Sequence, residues 1–357
     1  MYSDAFTQAC MNGLGVEVSI MLCNPEIDPN GNQGIALIRA IEKGHAAIVK
    51  MLLADPRVDP NARDGEPLIV ATRRGQLECM DVLLADPLVD PNLQDGEALF
   101  VACHLYHSAH VRIACVNRLL ADPRVDPALF HQRALRIAAW HGLSDVVERL
   151  LADPRVDPSA FACDAFASML RAWDERIVLM LLADPRVDPT VENNYAIFRA
   201  AERGSVAVVS HLLADPRVNP VADGNRALMA AVRDNRHEVV TLLIADPRVD
   251  LTQYGLTALR VAALEGCMET VEVLLADPRI DASADENIAL TYAVANERTD
   301  VIERLLCEHS VLLKPLPAEV LDGGVDTRRL IEGLMNRAWK RRGDAVVAWS
   351  LANVYDE

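Results

Sequence analysis

The segment Leu52-Leu53-Ala54-Asp55-Pro56-Arg57-Val58-Asp59-Pro60 returns, with small changes, at 83–91, 119–127, 150–158, 181–189, 212–220, 243–251 and 274–282. The Asp before its first Pro falls at 55, 86, 122, 153, 184, 215, 246 and 277, and every step is 31 residues except one of 36. A sustained period of this size constrains the fold more than any other feature. One unit is too short to bury its own apolar side, so it must stack on the next, and each unit touches only its neighbours. A chain of 357 residues built this way does not need one shared core.

Aligning the units gives columns with a physical meaning. Ala recurs at 36, 98, 134, 165, 196, 227, 258 and 289, with Pro67 once. A large apolar residue follows each (Leu37, Leu68, Leu99, Leu135, Phe166, Ile197, Leu228, Leu259, Leu290). Three residues further on stands Ala40, Ala71, Ala102, Ala138, Ala200, Ala231, Ala262 or Ala293, replaced once by Met169. Apolar and small residues three to four apart make one face of a helix, and the small ones admit a close neighbour. Pro67 is compatible with a first helical turn.

This short helix is expected to end at Gly44, Gly75, Gly142, Gly204, Asn235 and Gly266, residue types suited to a left-handed cap. A second helix follows, marked by Ile48-Val49/Leu52-Leu53, Val146-Val147/Leu150-Leu151 and Val239-Val240/Leu243-Ile244. Asp-Pro ends it, because the residue before Pro is pushed out of the helical region. Val58, Val125, Val156 and Val187 form the apolar foot of the following loop.

With these columns in place, the run Gly44-His45-Ala46-Ala47-Ile48-Val49-Lys50-Met51-Leu52-Leu53 resembles the ankyrin repeat, as do Asp-Gly before Glu-Ala-Leu (95–99) and Glu-Pro-Leu (64–68). The resemblance covers about 1–311. It implies an all-α, ankyrin-like α-solenoid of about ten stacked helix-turn-helix repeats with short finger loops. The family's Thr-Pro-Leu-His box is reduced to x-Ala-Leu-x, with Thr kept only at Thr257, and the finger segment is shorter than the family pattern. Stubby fingers without regular β-hairpins are therefore expected.

The truncated unit at 1–27 suits an N-terminal cap. Further units are expected at 28–58, 59–89, 90–125, 126–156, 157–187, 188–218, 219–249, 250–280 and 281–311, with an insertion near His104–His110. Beyond 311 the period dissolves into Lys314-Pro315-Leu316-Pro317, and 312–357 is read as a linker and a C-terminal helical cap, with helices at about 326–341 and 344–354. Leu316-Pro317-Ala318-Glu319-Val320-Leu321 resembles the opening of an F-box, the ubiquitin-ligase adaptor module. That makes a substrate-recognition adaptor the alternative function.

A net charge of −17 disfavours nucleic-acid and anionic-membrane partners. No apolar run approaches the roughly 18–20 residues that span a bilayer, and the start carries no signal-peptide pattern. The eight cysteines contain no CxxC pair and fall mostly at helical apolar positions, as expected for reduced thiols in a cytosolic compartment. The expected location is cytoplasmic, that of a host cell if the chain is of viral or bacterial-effector origin. The basic run Arg337, Lys340, Arg341, Arg342 leaves nuclear entry open.

Chemistry is sparsely encoded. The Asp ladder is read as structural because it recurs in every unit, and the Arg column (57, 124, 155, 186, 217, 248, 279) as exposed ion pairs of little value beside it. His104, His107 and His110 with Cys103 and Cys115 suggest a zinc site, but match no established ligand spacing. No catalytic set and no phosphate loop occurs, so no enzymatic activity and no cofactor are expected; a metal-binding or hydrolytic protein is the remote alternative.

In a stack of this kind, fingers and first helices line a concave face. Most finger tips are polar. Phe130, His131, Trp140, Phe161 and Tyr195 depart from that pattern, as does Tyr254, and Arg171, Arg203 and Arg233 stand at nearby helix positions. Aromatics with Arg are what interface hot spots are made of. Together these residues point to a monomeric, non-catalytic scaffold that binds a protein or peptide.

Overall fold

A computed structural model describes residues 2–104, 108–161 and 173–308, together with Val311 and Gly333. The expected C-terminal cap, the basic run and the F-box-like segment lie outside the described residues, Gly333 apart. Helices and turns account for the described residues, with no strand among them. The chain divides into two compact bodies, Met1–Asp188 and Pro189–Glu357.

In the first body the helices are α1 (Tyr2–Asn12), α2 (Gly15–Leu22), α3 (Gly31–Glu42), α4 (Ala46–Leu53), α5 (Ala62–Arg74) and α6 (Leu77–Leu84). They continue with α7 (Leu93–Ala102), α8 (Ala109–Ala121), α9 (Leu129–Trp140), α10 (Ser144–Leu151), a 3-10 turn (Pro158–Phe161) and α11 (Glu175–Leu182). First helices α1, α3, α5, α7 and α9 pack in series, and second helices α2, α4, α6, α8, α10 and α11 pack alongside them. The second body contains α12 (Val191–Arg203), α13 (Val206–Ala214), α14 (Ala222–Arg233) and α15 (His237–Ala245). These are followed by α16 (Leu251–Glu265), α17 (Met268–Leu275), α18 (Ala284–Ala295) and α19 (Thr299–Leu306). Its two helix series, α12-α14-α16-α18 and α13-α15-α17-α19, pack in the same way.

The columns explain the packing. Ala40, Ala71, Ala102, Ala138, Ala200, Ala231, Ala262 and Ala293 are all buried, so neighbouring first helices meet across methyl groups. Of each Leu-Leu pair the first member (Leu52, Leu83, Leu119, Leu150, Leu181, Leu212, Leu243, Leu274, Leu305) is buried to within 1% exposure. Each such side chain contributes roughly 1.5–3 kcal/mol. The second member is only half-buried in most units, as at Leu53, Leu84 and Leu151. The capping positions have positive φ as the sequence suggests, from Gly44 (76°) and Gly204 (75°) to Asn235 (53°). At Gly204 glycine is favoured for a second reason: a Cβ there would come within 2.7 Å of Arg236 Cδ, so the arginine side chain would have to shift.

The fingers take a form that periodicity does not reveal. Seven of them are three successive left-handed residues: Asn32-Gln33-Gly34, Arg63-Asp64-Gly65, Gln94-Asp95-Gly96, Phe130-His131-Gln132, Glu192-Asn193-Asn194, Asp223-Gly224-Asn225 and Asp285-Glu286-Asn287. The turn closes when the third N–H donates to the carbonyl four residues back, as in Gly65 N to Asn61 O (2.9 Å) and Asn194 N to Thr190 O (2.9 Å). The first two residues stand exposed and the third is buried. In place of a β-hairpin, each finger thus presents two adjacent side chains outward.

Among the described fingers that of α16 is the exception, and its sequence gives the reason. Leu256 occupies the third position, where an aliphatic side chain strongly disfavours positive φ. The chain instead runs straight into a helix whose start is capped by Asp250, which accepts from Thr252 N (2.9 Å).

The Asp-Pro-Arg loops hold the ion pairs expected from the sequence, with the arginines partly exposed, and add bonds to the unit before. Asp55 accepts from the Arg57 backbone N–H (3.0 Å), from Nε (2.9 Å) and from Nη2 (2.6 Å), which fixes the guanidinium. Arg57 then donates backward to Leu22 O (2.8 Å) at the end of α2 and to Ile27 O (2.9 Å). Arg124 reaches Leu84 O and Val89 O, Arg155 reaches Leu120 O and Val125 O, and Arg248 reaches Leu213 O and Val218 O. Each of these guanidiniums satisfies one carbonyl left open at the end of the preceding second helix, where the helix dipole also favours a cation, and one in the loop that follows it. The pair is a junction between units. Leu88 occupies the Arg position in one loop and is 70% exposed.

Candidate interaction surface

In the first body, α9 carries Arg133, Arg136 and Trp140 at i, i+3 and i+7, on one stripe of the helix. The finger before it holds Phe130 at φ 48° and His131 at φ 55°. A bulky side chain rarely adopts this backbone region, and such residues persist only where the surroundings over-determine them. The return bond from Gln132 N to Ala128 O (3.1 Å) holds the turn, and both outward side chains then point to solvent. Phe130 is 57% exposed and Trp140 54%. Phe130-His131 is the one described finger with an aromatic hydrocarbon ring at its tip.

Three residues of this patch, Arg133, Arg136 and Phe100, are not singled out from the sequence. The Arg133 guanidinium lies 3.4 Å from the centroid of the Phe100 ring on α7, within cation–π range, and 6.0 Å from that of Phe130. Glu97 accepts from Arg133 at 2.9 Å and holds it in place. His104 extends the row, its ring 6.0 Å from Phe100 and 4.6 Å from His141. Burial, and secondarily the charge of His104, lower the His141 pKa. Arg136 is exposed and has no hydrogen-bond or ion-pair partner among the described residues.

The second body repeats the arrangement. Arg226 lies 3.7 Å over the Phe198 ring, and Tyr195 is 5.6 Å from the same ring. Arg203 and Arg233 are exposed at the ends of α12 and α14. Tyr254 is half-buried in the first turns of α16, where the left-handed finger is missing. A signal for the two missed pairs was present in the columns. Phe100 and Phe198 share a register, and Arg133 and Arg226 share another in the following unit. It was obscured because the five-residue insertion shifts one pair relative to the other. Of the remaining candidates, Phe161 ends the 3-10 turn and its side chain is outside the described residues, as is Arg171.

Among the described residues no three His, Cys, Asp or Glu side chains converge as a metal site, and His107 lies outside them. Burial pushes the Cys10 thiol up to about 12 and the Cys79 thiol to about 11, away from thiolate reactivity. No helix among the described residues is long and apolar enough to cross a membrane.

The ankyrin repeat model matches residues 35–65, and a model of three consecutive ankyrin repeats matches residues 167–253. No curated protein matches the chain.

Proposed function

Because the chain contains ankyrin repeats, which generally mediate protein–protein interaction, we propose that it is a non-catalytic scaffold that binds a protein or peptide through its fingers and first helices. Phe130, His131 and Trp140 would form the contact surface in the first body. Tyr195, Arg203, Arg233 and Tyr254 are the corresponding residues in the second. The observation that carries this reading is the exposure of Phe130 and Trp140 beside Arg133 and Arg136, where the other large apolar side chains among the described residues are mostly buried. Exposed aromatics flanked by Arg supply most of the energy of a typical interface. The proposal includes a monomer without cofactor, with neither nucleic acid nor membrane as partner.

The test is affinity capture followed by mass spectrometry, with the wild type beside a Phe130→Ala/Trp140→Ala variant. Specific partners of the wild type should be lost from the variant while its thermal midpoint stays within about a degree or two, since both side chains are exposed. Unchanged capture would remove this surface from the proposal.

A further inference from the structure

The finger before α9 also differs from most of the others in charge. Four of the five arginines around it are paired, Arg112 with Asp145, Arg118 with Asp81, Arg124 with Asp122 and Arg133 with Glu97, which leaves Arg136 uncommitted and exposed. Five of the nine histidines lie between His104 and His141. The other described left-handed fingers, apart from Asn32-Gln33, each carry an acidic residue at an exposed position: Asp64, Asp95, Glu192, Asp223, and Asp285 with Glu286. An anionic segment would therefore be repelled along most finger tips and attracted at this one. Here it would meet the uncommitted Arg136, flanked by Phe130 and Trp140.

Resting on the surface proposed above, we infer that the partner segment is an acidic peptide with apolar anchors, Asp or Glu lying within a few residues of Leu, Phe or Trp. The apolar anchors would cover Phe130 and Trp140, and a carboxylate would form a two-pronged pair with Arg136, the geometry that guanidinium favours. Arg133 is committed to Glu97 and Phe100 and orients the patch without meeting the carboxylate.

The full-length chain, immobilised, would be panned against a displayed library of random-sequence peptides, and enriched peptides remade with a fluorophore for anisotropy titration. Enriched sequences should combine acids with large apolar residues. Replacing their acids by Asn and Gln should weaken binding roughly tenfold or more, as should Arg136→Glu, while Arg136→Lys should lose less. Trp140→Ala should weaken binding as well, with the melting curve unchanged in every variant. Basic or uncharged peptides that respond to Trp140→Ala but not to Arg136→Glu would overturn the acidic class and leave the surface standing. Peptides indifferent to both substitutions, or no enrichment at all, would overturn the surface too. Displacement of bound peptide by single-stranded oligonucleotide at lower concentration than by unlabelled peptide would assign the patch to nucleic acid and refute the inference.

Discussion

Asp-Pro-Arg is the residue-scale device of this chain. Isolated ion pairs on a surface contribute about 0–1 kcal/mol. Here the guanidinium is held on one side by a carboxylate and backbone turn, and donates on the other to a helix-end carbonyl and a loop carbonyl, so its ordering is shared among several bonds. Leu88 tests this directly. Its backbone already has the same turn, with Leu88 N donating to Asp86 at 2.9 Å, and its side chain is exposed. Leu88→Arg should therefore stabilise the chain by about 1 kcal/mol, measured as a higher urea midpoint. An unchanged midpoint would show that the backward bonds add nothing. The composition of this loop was legible in the sequence, but its role was not. A repeated Asp and Arg two residues apart look like a local pair, and only the stacking of units brings the Arg to a helix-end carbonyl of the unit before, as Arg57 reaches Leu22.

At the scale of elements, helix pairs and their glycine caps follow from apolar spacing and from which residues tolerate positive φ, so both were readable. The left-handed fingers were not, because their first two positions accept Arg, Asp, Gln, Glu, Asn and even Phe. Only the third position carries a signal, Gly or Asn in six of the seven. Asn225 shows the cost of a mismatch between neighbouring fingers. In the unit before, Asn194 accepts from the Asn219 N–H at 2.7 Å. Asn225 precedes the helical finger of α16, and both of its amide atoms are buried without a partner. An unsatisfied buried amide costs on the order of 1–3 kcal/mol, and Gly fills the same position in three other fingers. Asn225→Gly should therefore raise the thermal midpoint by a few degrees, read by calorimetry. A lower midpoint would mean that the amide is satisfied by water in solution.

For the whole molecule, the shared loop makes stability a function of acidity. Seven carboxyls (Asp55, Asp122, Asp153, Asp184, Asp215, Asp246, Asp277) are held below their ordinary 3.8, foremost by the side-chain hydrogen bond from the following Arg. Their pKa values are lower in the folded than in the unfolded chain. The stabilisation is thus complete above the unfolded value and lost as pH falls through the folded ones. Urea midpoints should be nearly flat from about pH 7 to about 5 and fall steeply below about 4. The margin of Leu88→Arg over the wild type should shrink in that same acid range. A chain as stable at about pH 3 as at about pH 6 would refute this account.

The exposed Leu88 has a mechanical corollary. Within the first body, the junction it leaves without a guanidinium lies between the helix pair α3-α4 and the pair α5-α6. A stack under tension peels at its weakest joint, so stretching would tear this body there first, freeing its two leading helix pairs before the others.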